Sequence, residues 1–165
     1  MKTSILGGAG YIGGELLRLL LAHPYMEIKQ ITSDSLSGKP VTIAHPNLRG
    51  RTELSFTPHD SLDECDVLFL ACPHGYSMRN IEMCKSIAPT IIDLSADFRI
   101  RNPRLFEQYY GEPHCAPDLL SDVVQGMPEI HRRALAEASL IAVPGCMATP
   151  ALLALHPFAS EELLE

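Results

Sequence analysis

Short, unbroken apolar runs punctuate this chain. Thr3 to Leu6, Ile28 to Thr32, Ile91 to Leu94 and Leu140 to Val143 read as strands, Val67 to Ala71 as a fully buried one, and Ser55 to Thr57 as a weak one. Between several of them the apolar positions change to helical spacing. Glu15 to His23 carries Leu16, Leu17, Leu20 and Leu21 before Pro24 stops it, and Met78 to Ile87 and Ile130 to Glu137 read as further helices. Unalternated strands separated by helices are buried on both faces, which predicts an α/β fold built on a doubly wound parallel sheet. Asp34 to Thr52 and Phe98 to Val124 fit no element and read as long loops, which in compact domains are functional or inserted. Beyond Cys146 a new apolar helix is predicted over Met147 to Phe158, followed by Leu163 and Leu164 with nothing evident to pack on.

Composition narrows the classes. With 165 residues, 46% of them apolar and 20% charged, the chain suits a soluble globular domain. Thirteen Lys and Arg against twenty Asp and Glu give a net charge of −7, a poor match to a nucleic-acid backbone. No apolar run approaches the roughly 20 residues of a membrane helix. Gly7, Gly8, Gly10, Gly13, Gly14, Glu15 and Arg18 break up the first twenty positions, unlike a signal peptide. Five cysteines, an odd number with no C-x-x-C pair, suggest neither a disulfide framework nor a zinc site, and a cytoplasmic setting is expected.

Two stretches carry candidate chemistry. Gly7, Gly10 and Gly13 stand at G-x-x-G-x-x-G spacing between the first strand and a helix. Such glycines make a tight turn, admit a pyrophosphate to the backbone and let helix and strand pack closely, while helix-start amides face the anion. This turn points to a Rossmann-type dinucleotide site. At the end of the second strand, Asp34 could accept a ribose 2′-hydroxyl, or Ser33 and Ser35 with nearby Lys39 could hold a 2′-phosphate; the alternative is a plain polar turn. The second stretch is Pro144-Gly145-Cys146 ahead of the last helix. Thr149 and Pro150 suit the first turn of that helix and place Cys146 at its start, where free amides and the helix dipole favour a thiolate. A cysteine there is a candidate nucleophile that takes an acyl group as a thioester for reduction by hydride. Cys65, Cys72, Cys84 and Cys115 are read instead as small buried hydrophobes.

Other positions are weighed beside these. Pro73, His74, Gly75, Tyr76 and Ser77 follow a strand and could line the nicotinamide side, with Ser77 capping the next helix. Ser95 and Arg99 follow another, where Arg99 could clamp a phosphate or simply pair with Asp93 or Asp97. His23, His45, His59 and His131 read as surface or loop residues, and the catalytic histidine is expected beyond Glu165. The division expected is a dinucleotide-binding domain over residues 1–145 and, over 146–165, the beginning of a second α/β domain. The rival to an enzyme is a non-enzymatic dinucleotide-sensing module.

Gly7 through Leu16, Asp93-Leu94-Ser95-Ala96-Asp97-Phe98-Arg99, Tyr109-Tyr110-Gly111 and Pro144 through Thr149, taken in this order, resemble the N-acetyl-γ-glutamyl-phosphate reductase family along the whole chain. The resemblance implies NADP-dependent reduction of a γ-acyl phosphate to the semialdehyde in arginine biosynthesis. It also implies a second α/β domain with the catalytic histidine, and a homo-oligomer. By the same resemblance Cys146 is the nucleophile, and Ala9, Gly10, Tyr11, Ile12, Gly13, Ser33 and Ser35 contact the cofactor; their place at strand ends adds Gly7, Pro73 and His74 to the expected cofactor contacts and Ser95 and Arg99 to the substrate side. His45 through Gly50 and Pro73-His74-Gly75 are more similar to the lysine-pathway branch, whose aminoadipyl or glutamyl phosphate rides on a small acidic carrier protein. NADP is expected from the resemblance, but that branch has basic residues where this chain has Asp34-Ser35, a departure that counts against NADP and makes NAD the alternative.

Overall fold

A computed structural model describes residues 1–163. Six parallel strands form one sheet: β1 (Lys2–Leu6), β2 (Glu27–Ile31), β3 (Val67–Leu70), β4 (Thr90–Asp93), β5 (Val124–Gln125) and β6 (Leu140–Ala142), in the order β2-β1-β3-β4-β6-β5. The helices are α1 (Tyr11–Leu20), α2 (Tyr76–Ile87), α3 (Pro103–Tyr110), α4 (Pro128–Glu137) and α5 (Ala148–Ser160). The chain winds outward from β1 in both directions. Connections therefore diverge where β1 and β3 end, and a crevice opens at their carboxyl ends.

Burial on both faces explains the continuous apolar runs. On one side Ile5, Val67 and Phe69 pack with Leu17 and Leu20 of α1 and with Ile31; on the other Leu6, Leu68 and Leu70 pack with Met78, Ile81 and Cys84 of α2. Each such side chain contributes roughly 1.5–3 kcal/mol when fully buried.

The long stretches are more ordered than their composition suggested. Residues 34–57 fold through 3-10 turns at Val41–Ile43 and Pro46–Leu48, which drop Val41 and Leu48 into the α1-side core. Ser55 to Thr57 is no strand; only isolated bridges join Thr57 to Thr32 and Ser55 to Pro40. Phe98 to Val124 contains α3, whose start is capped by Asn102 accepting from the Arg104 and Leu105 amides, with Pro103 in the first turn. Only Phe106 of α3 is buried, although Leu105, Tyr109 and Tyr110 stand at helical spacing beside it. His45 is buried rather than superficial, and Cys115, in a turn between Pro113 and Pro117, is exposed rather than buried.

The far end differs in kind. No residue of α5 is buried, and Leu152, Leu155 and Phe158 are about half exposed. Leu163 is exposed, and Leu164 lies outside the described residues. Among the described residues no helix is long and apolar enough to cross a membrane, and no group of three or more His, Cys, Asp and Glu could hold a metal ion.

Candidate functional site

A cleft of about 640 Å³ lies at the divergence of β1 and β3, lined by the glycine turn (Gly7, Ala9 to Ile12), the end of β2 (Ser33 to Ser35), the end of β3 (Ala71 to Pro73), His59 and Tyr76. Gly7 sits in the left-handed region with φ +84°, and a Cβ there would stand 2.8 Å from the Ala71 carbonyl oxygen. A Cβ on Gly13 would come within 2.6 Å of the Gly8 backbone, so both glycines are demanded by the packing of turn, strand and helix. Gly10 is different. Its backbone is extended, φ −79°, and a Cβ would meet nothing within 4 Å. The protein itself has no use for a bare Cα there, whereas a ligand approaching the start of α1 would.

Gly10 caps α1 without a side-chain hydrogen bond, leaving the first-turn amides to the cleft. An anion placed there gains both those donors and the helix dipole. The back of the turn is held by His45, whose Nε2 lies 2.8 Å from the Gly8 carbonyl oxygen and whose ring fills the space beside Gly14. At the end of β2, Thr32 Oγ1 accepts from the Gly7 amide (3.2 Å) and lies 2.6 Å from His59 Nδ1. Ser33 and Ser35 hydroxyls are 3.3 Å apart. Asp34 Oδ1 accepts from the His59 amide at 2.8 Å. A second cavity of about 670 Å³ opens beyond Asp34, His59 and Tyr76, walled by Pro58, Leu62, Met83 and Ile87.

The loops after β3 and β4 are tied to each other. Asp97, fully buried, accepts from the Gly75 (2.7 Å) and Met78 (2.9 Å) amides and so caps α2; Ser77, the residue expected to do this, donates to Asp93 instead. His74 does not line the cleft: its Nδ1 is 2.7 Å from Asp97 Oδ1, and its ring lies over Tyr110 with centroids 4.4 Å apart. Glu112 pairs with Arg79 beside it. Beneath, His114 donates from Nε2 to the Asp97 carbonyl and accepts the Ala116 amide at Nδ1, and burial holds its pKa below the usual histidine value. Ser95 is spent on Asp93, to which both its amide and its hydroxyl donate, while burial pushes the Asp93 carboxyl up.

Arg99 makes neither of the expected aspartate pairs. Its Nε donates to the Val143 carbonyl (2.8 Å) and its Nη2 to the Leu94 carbonyl (2.9 Å), stapling the loop after β4 to the loop that leads to Cys146. Nη1 is the atom nearest Gly145, 3.4 Å from where a Cβ would stand. Cys146 itself is exposed, one residue before Met147, the N-cap of α5, and Thr149 closes the first turn by donating to the Gly145 carbonyl from both its amide and its hydroxyl. β6 lies three strand spacings from β1, about 14 Å, so Cys146 and the glycine turn share one edge of the sheet. Of the other thiols, Cys72 is pushed up to about 12 and Cys84 to about 11 by burial, and Cys65 is raised for the same reason.

The family model described as "Semialdehyde dehydrogenase, NAD binding domain" matches residues 2–138. The chain belongs to this family. Among curated relatives, the LysW-L-2-aminoadipate 6-phosphate reductase of Deinococcus radiodurans is 47% identical over 155 residues, covering 94% of the chain and 44% of the relative. The N-acetyl-gamma-glutamyl-phosphate reductase of Nitrosococcus oceani is 46% identical over 168 residues, covering 100% and 49%. The chain thus spans about half the length of the curated relatives it matches. Among solved structures, aspartate semialdehyde dehydrogenase II of Vibrio cholerae, complexed with ASA, superposes with a TM-score of 0.68 at 17% identity, over 96% of this chain and 46% of that one; the likeness is one of fold.

Within this family frame the structure gathers Gly7, Ala9, Gly10, Tyr11, Ile12, Ser33, Ser35 and Pro73 around one cleft, with Gly13 packed directly behind, and sets His74, Ser95 and Arg99 outside it. Ala71, Cys72 and His59 also line the cleft without having been expected there, beside Tyr76 from the loop that was. The first two follow β3, where the rule that ligands gather at carboxyl ends would have found them. No local pattern marks His59; it reaches the cleft because Thr57 bridges to Thr32.

Proposed function

We propose that this chain binds a nicotinamide dinucleotide in the cleft between β1 and β3 and carries, in Cys146, the nucleophile of an acyl-phosphate reductase. The observation that bears most weight is the exposed thiol immediately ahead of a helix start, on the same sheet edge as an uncapped glycine turn. The cleft suits such a cofactor: free amides for the pyrophosphate, and open space over Gly10 that no residue fills.

Cys146 Sγ attacks the acyl carbon. The bond from that carbon to the phosphate oxygen breaks, inorganic phosphate leaves with the electron pair, and the acyl group stays on sulfur as a thioester. First-turn amides of α5 face the oxygen that gains charge during the attack. Arg99, with Nη1 turned toward Gly145, is placed to pair with the departing phosphate. A nicotinamide held in the cleft by the glycine turn and the α1 amides would supply hydride to the thioester carbon; the carbon–sulfur bond would then break with its electron pair returning to Cys146 Sγ as the aldehyde leaves. The names of the relatives support two substrates of one chemistry, N-acetyl-γ-glutamyl phosphate and an aminoadipyl or glutamyl phosphate linked to a carrier protein.

The test runs in reverse, with the protein carried to the length of its curated relatives: semialdehyde, inorganic phosphate and oxidised dinucleotide. Phosphate-dependent formation of reduced dinucleotide is expected. Cys146→Ser should lower that rate by about a thousandfold or more while leaving dinucleotide affinity within a few-fold. A variant that keeps most of the rate would contradict the thioester route.

A further inference from the structure

The end of β2 carries a charge pattern that the reading above does not use. Asp34 lines the cleft with its side chain 66% exposed. Its carboxylate is not free to swing, because Oδ1 accepts from the His59 amide at 2.8 Å and Oδ2 lies 3.8 Å from His59 Nε2. The ring of His59 is fixed from behind. Thr32 is fully buried, and its hydroxyl oxygen already accepts from the Gly7 amide, so its proton needs an acceptor, which is His59 Nδ1 at 2.6 Å. That arrangement leaves the ring proton on Nε2, facing Asp34. The glycine turn, Thr32 and His59 are thus joined by hydrogen bonds, and the Asp34 carboxylate is tied to His59 by the backbone amide at 2.8 Å, with the ring Nε2 3.8 Å away, beyond hydrogen-bond reach.

No positive charge balances it. Among the described residues, none of those lining the cleft is lysine or arginine. Lys39, the nearest in sequence, is exposed on the turn beyond, where its amide donates to the Leu36 carbonyl. A 2′-phosphate would bring a charge of about −1.5 to −2 against a held carboxylate, whereas a ribose hydroxyl would give that carboxylate the donor it lacks.

We propose that the cleft selects a dinucleotide whose adenosine ribose carries a free 2′-hydroxyl, with Asp34 accepting from the ribose and His59 as the positioning residue that holds its carboxylate. This rests on the dinucleotide reading above, and it reverses the preference for NADP that the family resemblance implies. The test is direct titration of the protein with NADH and with NADPH, followed by nucleotide fluorescence. NADH should bind at least about tenfold more tightly. Asp34→Ser should bring the two affinities within a few-fold of each other, Asp34→Arg should invert the preference, and His59→Ala should narrow it. Equal or tighter binding of NADPH to the unsubstituted protein overturns the proposal and leaves the dinucleotide reading intact; loss of that binding in Lys39→Gln would identify the lysine as the phosphate partner. Failure of both nucleotides to bind overturns both readings.

Discussion

The starts of α1 and α2 stand at neighbouring strand ends, one after β1 and the other after β3, and the chain treats them in opposite ways. The start of α2 is closed from within, by a fully buried aspartate that satisfies two of its amides and holds the His74 ring. The start of α1 has no side-chain partner, its N-cap is a glycine, and its first turn opens on the cleft. A glycine there in place of a capping side chain costs roughly a few tenths of a kcal/mol. The fold recruits Asp97 for one helix and leaves the first-turn amides of the other open to an anion from outside.

Substitutions can break this contrast. The largest effect is expected at Gly7, where Gly7→Ala would force a Cβ into a left-handed backbone 2.8 Å from a carbonyl oxygen. A loss of about 2–4 kcal/mol is expected, lowering the thermal unfolding midpoint by on the order of 10 °C. Gly10→Ala, three residues on, should cost less than about 1 kcal/mol and yet weaken dinucleotide binding by about tenfold, because its Cβ occupies ligand space and touches nothing else. Equal destabilisation by both would mean that Gly10 serves the fold. Between them in size stands Asp97→Ala, which strands two helix-start amides at about 2–3 kcal/mol. Chemical denaturation should report that loss, while the dinucleotide affinity of the folded fraction stays within a few-fold.

How legible each region was in the sequence follows from the same physics. The sheet could be read because strands buried on both faces must be apolar throughout, as Val67 to Leu70 are. The glycine turn could be read because backbone sterics allow only glycine at Gly7 and Gly13. Hidden were one helix closed by a local cap and two side chains held by single long-range bonds. α3 depends on one buried phenylalanine and an asparagine cap, His45 is buried by a bond to the Gly8 carbonyl, and His59 reaches the cleft through an isolated bridge. The two histidines leave no period in the sequence; α3 does, in Leu105, Phe106, Tyr109 and Tyr110, but Pro103 and Pro113 around it made the stretch read as a loop. Arg99 illustrates the limit for a charged side chain: its neighbours Asp93 and Asp97 suggested ion pairs, yet both carboxylates are consumed by backbone amides and serines, and the guanidinium turns to carbonyls.

Whether the bare helix start is the one that meets the ligand can be measured at the amides themselves. Titrating the isotope-labelled protein with NADH and following its backbone amide resonances should shift Tyr11, Ile12 and Gly13 most, with Asp34, Ala71 and Cys72 in their vicinity responding less, while Gly75 and Met78 stay in place. Saturable shifts at the start of α2 with α1 unmoved would contradict the account.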